Sequence, residues 1–289
     1  MSYDLKPRWT SALSFLRRAT RNVPPLGYYD PHARDNGSML TVVANTFPAG
    51  LSEPINAILS GNSDAAVLVD QEINGGLRNY YLSLGFSGEC LGQHAGGDQG
   101  ANLGDGNGIL NETAVIRWNY GDPALGSCTE TIQGGNHFRY WVQNGKDADS
   151  GAIFMATSYE MPIAQGHDII PNGYNLARDW LIGNATKQAV NTSSLINGTT
   201  FSGSTQNAGY TYQTDVVYVS GLLQNSSDGI NHYLTVGVNG SNAIDGLVAV
   251  MTVKIASAPV GTKANAASSD YRASIPLLWL LLIFQYFLF

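Results

Sequence analysis

Charge is what this chain has least of. Asp, Glu, Lys and Arg make up 13% of its 289 residues, against about 25% in an ordinary soluble domain. Gly, Asn, Ser and Thr fill the gap, so the surface is neutral and hydrogen-bonding, of a kind whose solubility glycans can supply. Basic residues are outnumbered, 15 against 22 acids, and Lys6, Arg8, Arg17, Arg18 and Arg21 crowd into the first stretch. No basic patch with interleaved aromatics occurs, which excludes nucleic acid as a partner. No G-x-S-x-G elbow is present and neither cysteine sits in one, which excludes a Ser or Cys nucleophile of that type. The five histidines show no HxH or HxxxH spacing. His94, His137 and His167 fall in separate elements, so no metal and no other cofactor is expected. In "DGNGILNE" Asp105 and Asn107 match two positions of a calcium loop, but Ile109 breaks the third, and a turn is the simpler reading. A membrane-length apolar run is missing too. The longest, residues 275–289 ("IPLLWLLLIFQYFLF"), makes a helix of about 22 Å, short of the roughly 30 Å hydrocarbon core.

That tail is nonetheless informative. It follows "TKANAASSDYRAS" (residues 262–274), and small residues, a polar spacer and a terminal apolar run together have the form of a GPI-attachment signal. Asn265, followed by Ala266 and Ala267, is the expected attachment residue; a short tail anchor is the alternative. Either makes the membrane a partner through the C-terminal end. Seven N-x-S/T sequons, at Asn36, Asn111, Asn184, Asn191, Asn197, Asn225 and Asn239, favour the secretory route and place those asparagines at the surface. The two cysteines, Cys90 and Cys128, are an even pair of the kind that bridges in secreted chains. Residues 1–25 lack the apolar stretch of a signal peptide. They are expected to lie outside the folded domain, as a truncated or misassigned start; the competing explanation is that the chain is not secreted. The compartment expected is the outer face of the plasma membrane or the cell wall.

Periodicity divides the rest into one α+β domain over residues 26–258, a polar spacer at 259–274 and the apolar tail. Strands are expected at 39–47, 54–61, 113–121, 137–145 and 151–161, the last nearly continuously apolar and therefore covered on both faces. Helices are expected at 64–73, capped by Asn62-Ser63-Asp64, at 75–86, and at 174–183. A long glycine-rich loop covers 90–112, and loops of that length are usually functional or tied down. The C-terminal part is strand-rich, with strands in "YTYQTDVVYVSGLL", "NHYLTVGVNG" and "GLVAVMTVKIA". A separate C-terminal β subdomain is the alternative.

The polar residues that stand out are His94, Asp98, Asp105 and Asn107 in the glycine-rich loop, Asn136, His137 and Arg139 in "GGNHFRYW", and His167, Asp168, Arg178 and Asp179 in "HDIIPNGYNLARDW". Arg139 and Arg178 are candidate forks for an anion, with His137 and His167 as catalytic proton carriers. Strand alternation puts His137 and Arg139 on one face. The bland alternative is that these charges pair with one another to hold helix to sheet.

Three of these stretches carry a family likeness. "EPINAILSGN" (53–62), "NHFRYW" before the "GAIFMA" strand, and "HDI" followed by "ARDWL" resemble, in that order, the LssY C-terminal-type domain. His137, Arg139, Trp141, His167, Arg178 and Asp179 fall on the family's pattern, over residues 50–185; "IPNGYN" stands where the family has acidic residues after the histidine. The resemblance implies a lean toward phosphoester or lipid-linked substrates. The chain is also similar to secreted proteins of filamentous fungi, which implies a location. Two functions follow as expectations: a GPI-anchored, N-glycosylated surface protein with a binding or structural role, its cell-wall glycan or small anionic ligand against Arg139 and His137; or a hydrolase acting on a phosphoester or other anionic substrate through His137 and His167.

Overall fold

The computed structural model describes residues 22–260, apart from 93, 95, 96, 238 and 239. The apolar tail, its spacer from residue 261, the leader through residue 21, Asn239 and Asn265 therefore lie outside the described residues. Among those described, no helix is long and apolar enough to cross a membrane.

Thirteen strands are described: β1 (Val42–Val43), β2 (Ala57–Leu59), β3 (Phe86–Gly88), β4 (Gln99–Asn102), β5 (Ile109–Asn111), β6 (Ala114–Trp118), β7 (Gly135–Gly145), β8 (Ala148–Glu160), β9 (Thr200–Asn207), β10 (Tyr210–Val219), β11 (Asn225–Ser226), β12 (Ile244–Asp245) and β13 (Val248–Ser257). Four α-helices accompany them: α1 (Leu77–Ser83), α2 (Gly126–Gln133), α3 (Gly173–Thr186) and α4 (Tyr233–Val236). Eight strands make one curled, mixed sheet in the order β3-β6-β7-β8-β2-β13-β10-β9. This is a strand-rich α+β fold. Of the C-terminal strands, β9, β10 and β13 belong to this sheet, β13 as one of its inner members, and β11 pairs with β12 separately.

The sheet is covered on both faces, and period-two alternation shows how. Leu59, Tyr140, Ile153, Met155, Met251 and Val253 enter one core, with Leu77, Tyr80 and Tyr81 of α1 and Leu181 of α3. Ile58, Trp141, Phe154, Ala156, Val248 and Val250 enter the other, with Met39 and Tyr174. Neighbours on a strand point to opposite sides, so both sets of apolar residues are buried, and each buried aliphatic or Phe side chain contributes about 1.5–3 kcal/mol. This is why "GAIFMA" carries no polar alternation.

The shortest central strand is β2. It pairs antiparallel with β8 and parallel with β13. Asn56, just before it, is 2% exposed and spends its whole side chain on neighbours. Nδ2 donates to the carbonyls of Thr157 and Tyr174, while Oδ1 accepts from the Thr157 N–H and hydroxyl. The asparagine of "EPINAIL" thus ties β2 to β8 and to the start of α3.

Several expected elements differ. Residues 64–73 form turns, not a helix, because the expected cap is used by the sheet. Ser63 Oγ accepts the Val253 N–H, Asp64 Oδ2 accepts the Ile255 N–H, and the Asp64 N–H donates to the Val253 carbonyl. In "NHYLTVGVNG" the strand is replaced by the single turn α4, whose Val236 carbonyl accepts the Asn172 N–H. Of the first expected strand, Val42 and Val43 pair with β4, and Leu40 makes a single bridge to Pro54. The glycine-rich loop is partly structured: β4 and β5 form a hairpin beside β1. Asp105, 2% exposed, receives the N–H groups of Asn107, Asn144 and Gly145 and so fixes the β7–β8 turn.

Candidate functional site

Three neighbouring strands place Arg117, His137 and Ser158 side by side: Arg117 of β6 is registered with His137 of β7, and His137 with Ser158 of β8. Glu160 follows two residues along β8 on the same face. The short helix α2 lowers Glu130 onto this row, and the segment after β3 brings Glu89. The bridge Cys90–Cys128 holds those two segments together, with a Cα–Cα distance of 5.4 Å. Each cysteine thus delivers a nearby glutamate to the same guanidinium: Arg117 Nη1 is 2.8 Å from Glu130 Oε2, and Nη2 is 3.1 Å from Glu89 Oε1.

The pair "GG" before Asn136 has a steric reason. Gly134 and Gly135 have φ of +75° and +151°, values that favour glycine. A Cβ on Gly134 would lie 2.4 Å from the Glu160 carbonyl oxygen, and one on Gly135 would lie 2.9 Å from Glu130 Cγ. The backbone passes here because it has no side chain, and it delivers His137 between the two carboxylates.

His137 is 3% exposed. Its Nε2 is 3.1 Å from Ser158 Oγ. Its Nδ1 is 3.6 Å from Glu130 Oε1 and 3.7 Å from Glu160 Oε2. Both Nδ1 and Glu130 Oε1 are buried and without a hydrogen-bond partner. Glu160 Oε2 also lies 2.6 Å from His167 Nε2. Burial pushes the Glu160 carboxyl up, but His137, the hydrogen bond with His167 and the charge of Arg117 outweigh it and hold it at about 2. The same hydrogen bond raises His167, against the opposing effect of its partial burial. The row continues outward: His94 Nδ1 is 2.9 Å from Glu89 Oε2, and His94 Nε2 is 3.3 Å from Asp98. His94, Asp98 and Glu112 form a second, more exposed group of possible metal donors beside the buried set of Glu130, His137 and Glu160.

The structure therefore brings His137 and His167 together, onto one carboxylate oxygen, and does not add the two arginines to them. Arg139 is buried against Glu112. Arg178 of α3 is fully buried: Nε and Nη2 donate to Asp179, Nη1 and Nη2 to Asp245, and Nη1 also to the Leu247 carbonyl. All five guanidinium N–H groups are thereby used. Asp168 pairs with His232 and not with His167. This corrects the expectation of a joint anion fork, and of a ligand resting on exposed His137 and Arg139: these side chains are buried and paired with protein acids.

Residue spacing concealed Glu89, Arg117, Glu130 and Glu160. A signal existed: a bridge between Cys90 and Cys128 necessarily draws Glu89 and Glu130 together, and Arg117 is a lone charge inside the apolar run "AVIRW". A surface cavity of about 460 Å³ lined by Arg78, Tyr81, Phe86, Glu89, Ile116 and Pro123 meets the cluster only at Glu89. Of the described sequon asparagines, Asn36, Asn111, Asn191, Asn197 and Asn225 are exposed, and Asn184, on α3, is half-buried.

Comparison of the chain with known protein families, with curated proteins and with solved structures finds no match.

Proposed function

We propose that this chain is an extracellular, N-glycosylated protein, carried to the cell surface and held there by its C-terminal tail, with a binding or structural role. The observation that carries this reading is the pairing of one fully used disulfide with exposed sequon asparagines spread over the domain. Disulfides persist in oxidising compartments, and glycan transfer needs an accessible asparagine. The charge-poor surface fits the same setting. A second reading, hydrolysis of a phosphoester or other anionic substrate, draws on the convergence of His137 and His167 on Glu160 and on the LssY-like stretches. It is the weaker one, because both arginines are spent on internal carboxylates and no cavity described here opens on His137.

The test is expression of the full chain in a secreting eukaryotic host. The expected outcome is surface protein that shifts in mobility with N-glycanase and is released by phosphatidylinositol-specific phospholipase C. Unglycosylated protein retained inside the cell refutes the reading. Turnover of a phosphoester panel that disappears in His167→Ala would establish the second reading instead.

A further inference from the structure

We propose that Glu130 Oε1, His137 Nδ1 and Glu160 Oε2 are the donor set of a transition-metal site of the zinc class. The proposal begins with two buried atoms that have no hydrogen-bond partner, Glu130 Oε1 and His137 Nδ1, facing each other across 3.6 Å. A proton on Nδ1 does not satisfy them. The two facing oxygens are 3.6 and 3.7 Å away, beyond the roughly 2.7–3.2 Å of an N–H···O bond. If Nε2 carries the proton and donates to Ser158 Oγ, the Nδ1 lone pair points at two carboxylate oxygens with nothing positive between them.

A metal fits that gap. Zinc binds imidazole nitrogen and carboxylate oxygen at about 2.0–2.2 Å, which puts tetrahedral donors about 3.3–3.6 Å apart. The 3.6 and 3.7 Å separations are close to that, and all three donor atoms lie within 4.8 Å of one another. Charge points the same way. Leaving the histidines out of the count, Glu89, Glu130 and Glu160 against the single Arg117 carry a formal charge of minus two, which one divalent ion cancels. Arg117 stands next to the site: its shorter contacts are to Glu130 Oε2 and Glu89 Oε1, and its Nη1 lies 3.6 Å from Glu160 Oε2. The surrounding groups are those that orient metal ligands: Ser158 at His137 Nε2, Arg117 at the second oxygen of Glu130, and His167 at Glu160. The side chains of Glu160 and His167 are 17% and 29% exposed, and this is the side from which an ion enters and where solvent completes its coordination. The histidine spacing gave no sign of this, because two of the three donors are glutamates from different elements.

The test uses the full chain, stripped with chelator and dialysed, titrated with Zn²⁺ alone by calorimetry and with Co²⁺ by visible absorption. The expected result is about one equivalent bound, a tetrahedral cobalt spectrum, and a rise in unfolding temperature that Ca²⁺ at equal concentration does not produce. Glu160→Gln, on the exposed side, and His137→Gln should abolish binding while circular dichroism stays native. Ser158→Ala should weaken it about 10- to 100-fold, the usual effect of removing an outer-shell partner. His94→Ala should leave it unchanged. A folded wild-type chain that binds neither ion overturns the proposal. So does binding that survives Glu160→Gln but is lost in His94→Ala, which would put the metal at the exposed group.

Discussion

Replacing Arg178 with methionine separates a structural arginine from a ligand-binding one. The side chain is fully buried, lies over the Tyr218 ring at 5.2 Å, and holds Asp179 and Asp245. Asp179, 2% exposed, also accepts the Tyr218 hydroxyl. Methionine fills much of the same volume and removes the charge, leaving Asp179 buried without its counter-ion. Breaking a buried pair in this way costs about 3–5 kcal/mol. In a domain of this size that lowers the midpoint by about 2–4 °C per kcal/mol, and so by roughly 6–20 °C in all. The assay is thermal unfolding of the disulfide-intact chain. Because the cost comes from the carboxylate left behind, Arg178→Met with Asp179→Asn should recover a substantial part of it. Arg178→Lys should fall between wild type and Arg178→Met, since one ammonium cannot reproduce a fork with five donors. Inorganic phosphate should not stabilise the wild type. An Arg178→Met chain that melts with the wild type, or a phosphate-dependent rise in the wild-type midpoint lost in Arg178→Met, would refute the structural assignment and return the arginine to ligand binding.

Further outcomes follow from other parts of the fold. Replacing Cys90 and Cys128 together with serine removes a link across 38 residues and should cost about 4 kcal/mol on the chain-entropy account, read as a lower denaturant midpoint. Asn56→Ala takes a partner from the N–H, hydroxyl and carbonyl of Thr157 and from the Tyr174 carbonyl; at about 1–3 kcal/mol per unsatisfied buried group, its loss should exceed that of any exposed alanine substitution in the same melting assay. Tyr80, Tyr81, Tyr140, Tyr174, Tyr212 and Tyr218 are all raised, burial being the largest cause in each, with Tyr212 at about 12. A folded-state value above the unfolded one of about 10 gives stability that is whole below pH 10 and is lost as pH climbs beyond it. The phenolate absorbance of these six, out of 15 tyrosines, should therefore appear together with the loss of circular dichroism, above pH 10; its early appearance from a still-folded chain would contradict their burial.

Much of the sheet was legible because its residues obey one local rule. "GAIFMATSYEM" reads as a central strand from its unbroken apolar run and is one; α3 follows from Leu176, Leu181 and a helical stripe, although Trp180 of that stripe is exposed. The strand β9, by contrast, is made of Thr, Ser, Gly, Gln and Asn around one Phe. It pairs because β10 offers an edge, a fact no local window contains. Likewise "DAAVLVDQEI" has the cap and the apolar content of a helix, and tertiary hydrogen bonds to β13 claim the cap first. The bridge could be expected from the even pair of cysteines. The buried cluster was legible only in part: the bridge brings Glu89 and Glu130 together, but His137 and Glu160 join them only through the pairing of β7 with β8. For the same reason Arg139 and Arg178 looked like companions in sequence and are separate ion pairs in space.

The position of β2 sets an order of events. Residues 86–160 can build the β3-β6-β7-β8 half of the sheet through antiparallel neighbours, and residues 200–257 can build the β13-β10-β9 half. Within the sheet it is β2, residues 57–59, that joins the halves, with β13 nearly two hundred positions downstream of its parallel partner. Made from the N-terminus, the chain releases its central strand first, can lay it along β8, and cannot cover its other edge until the last strand has been synthesised. Such long-range parallel pairing is slow to form, and until it forms the facing edges of β2 and β13 are open to other chains. The interval between translation and closure is thus the period in which this protein is most exposed to misassembly, and it ends when a segment of three residues finds its place.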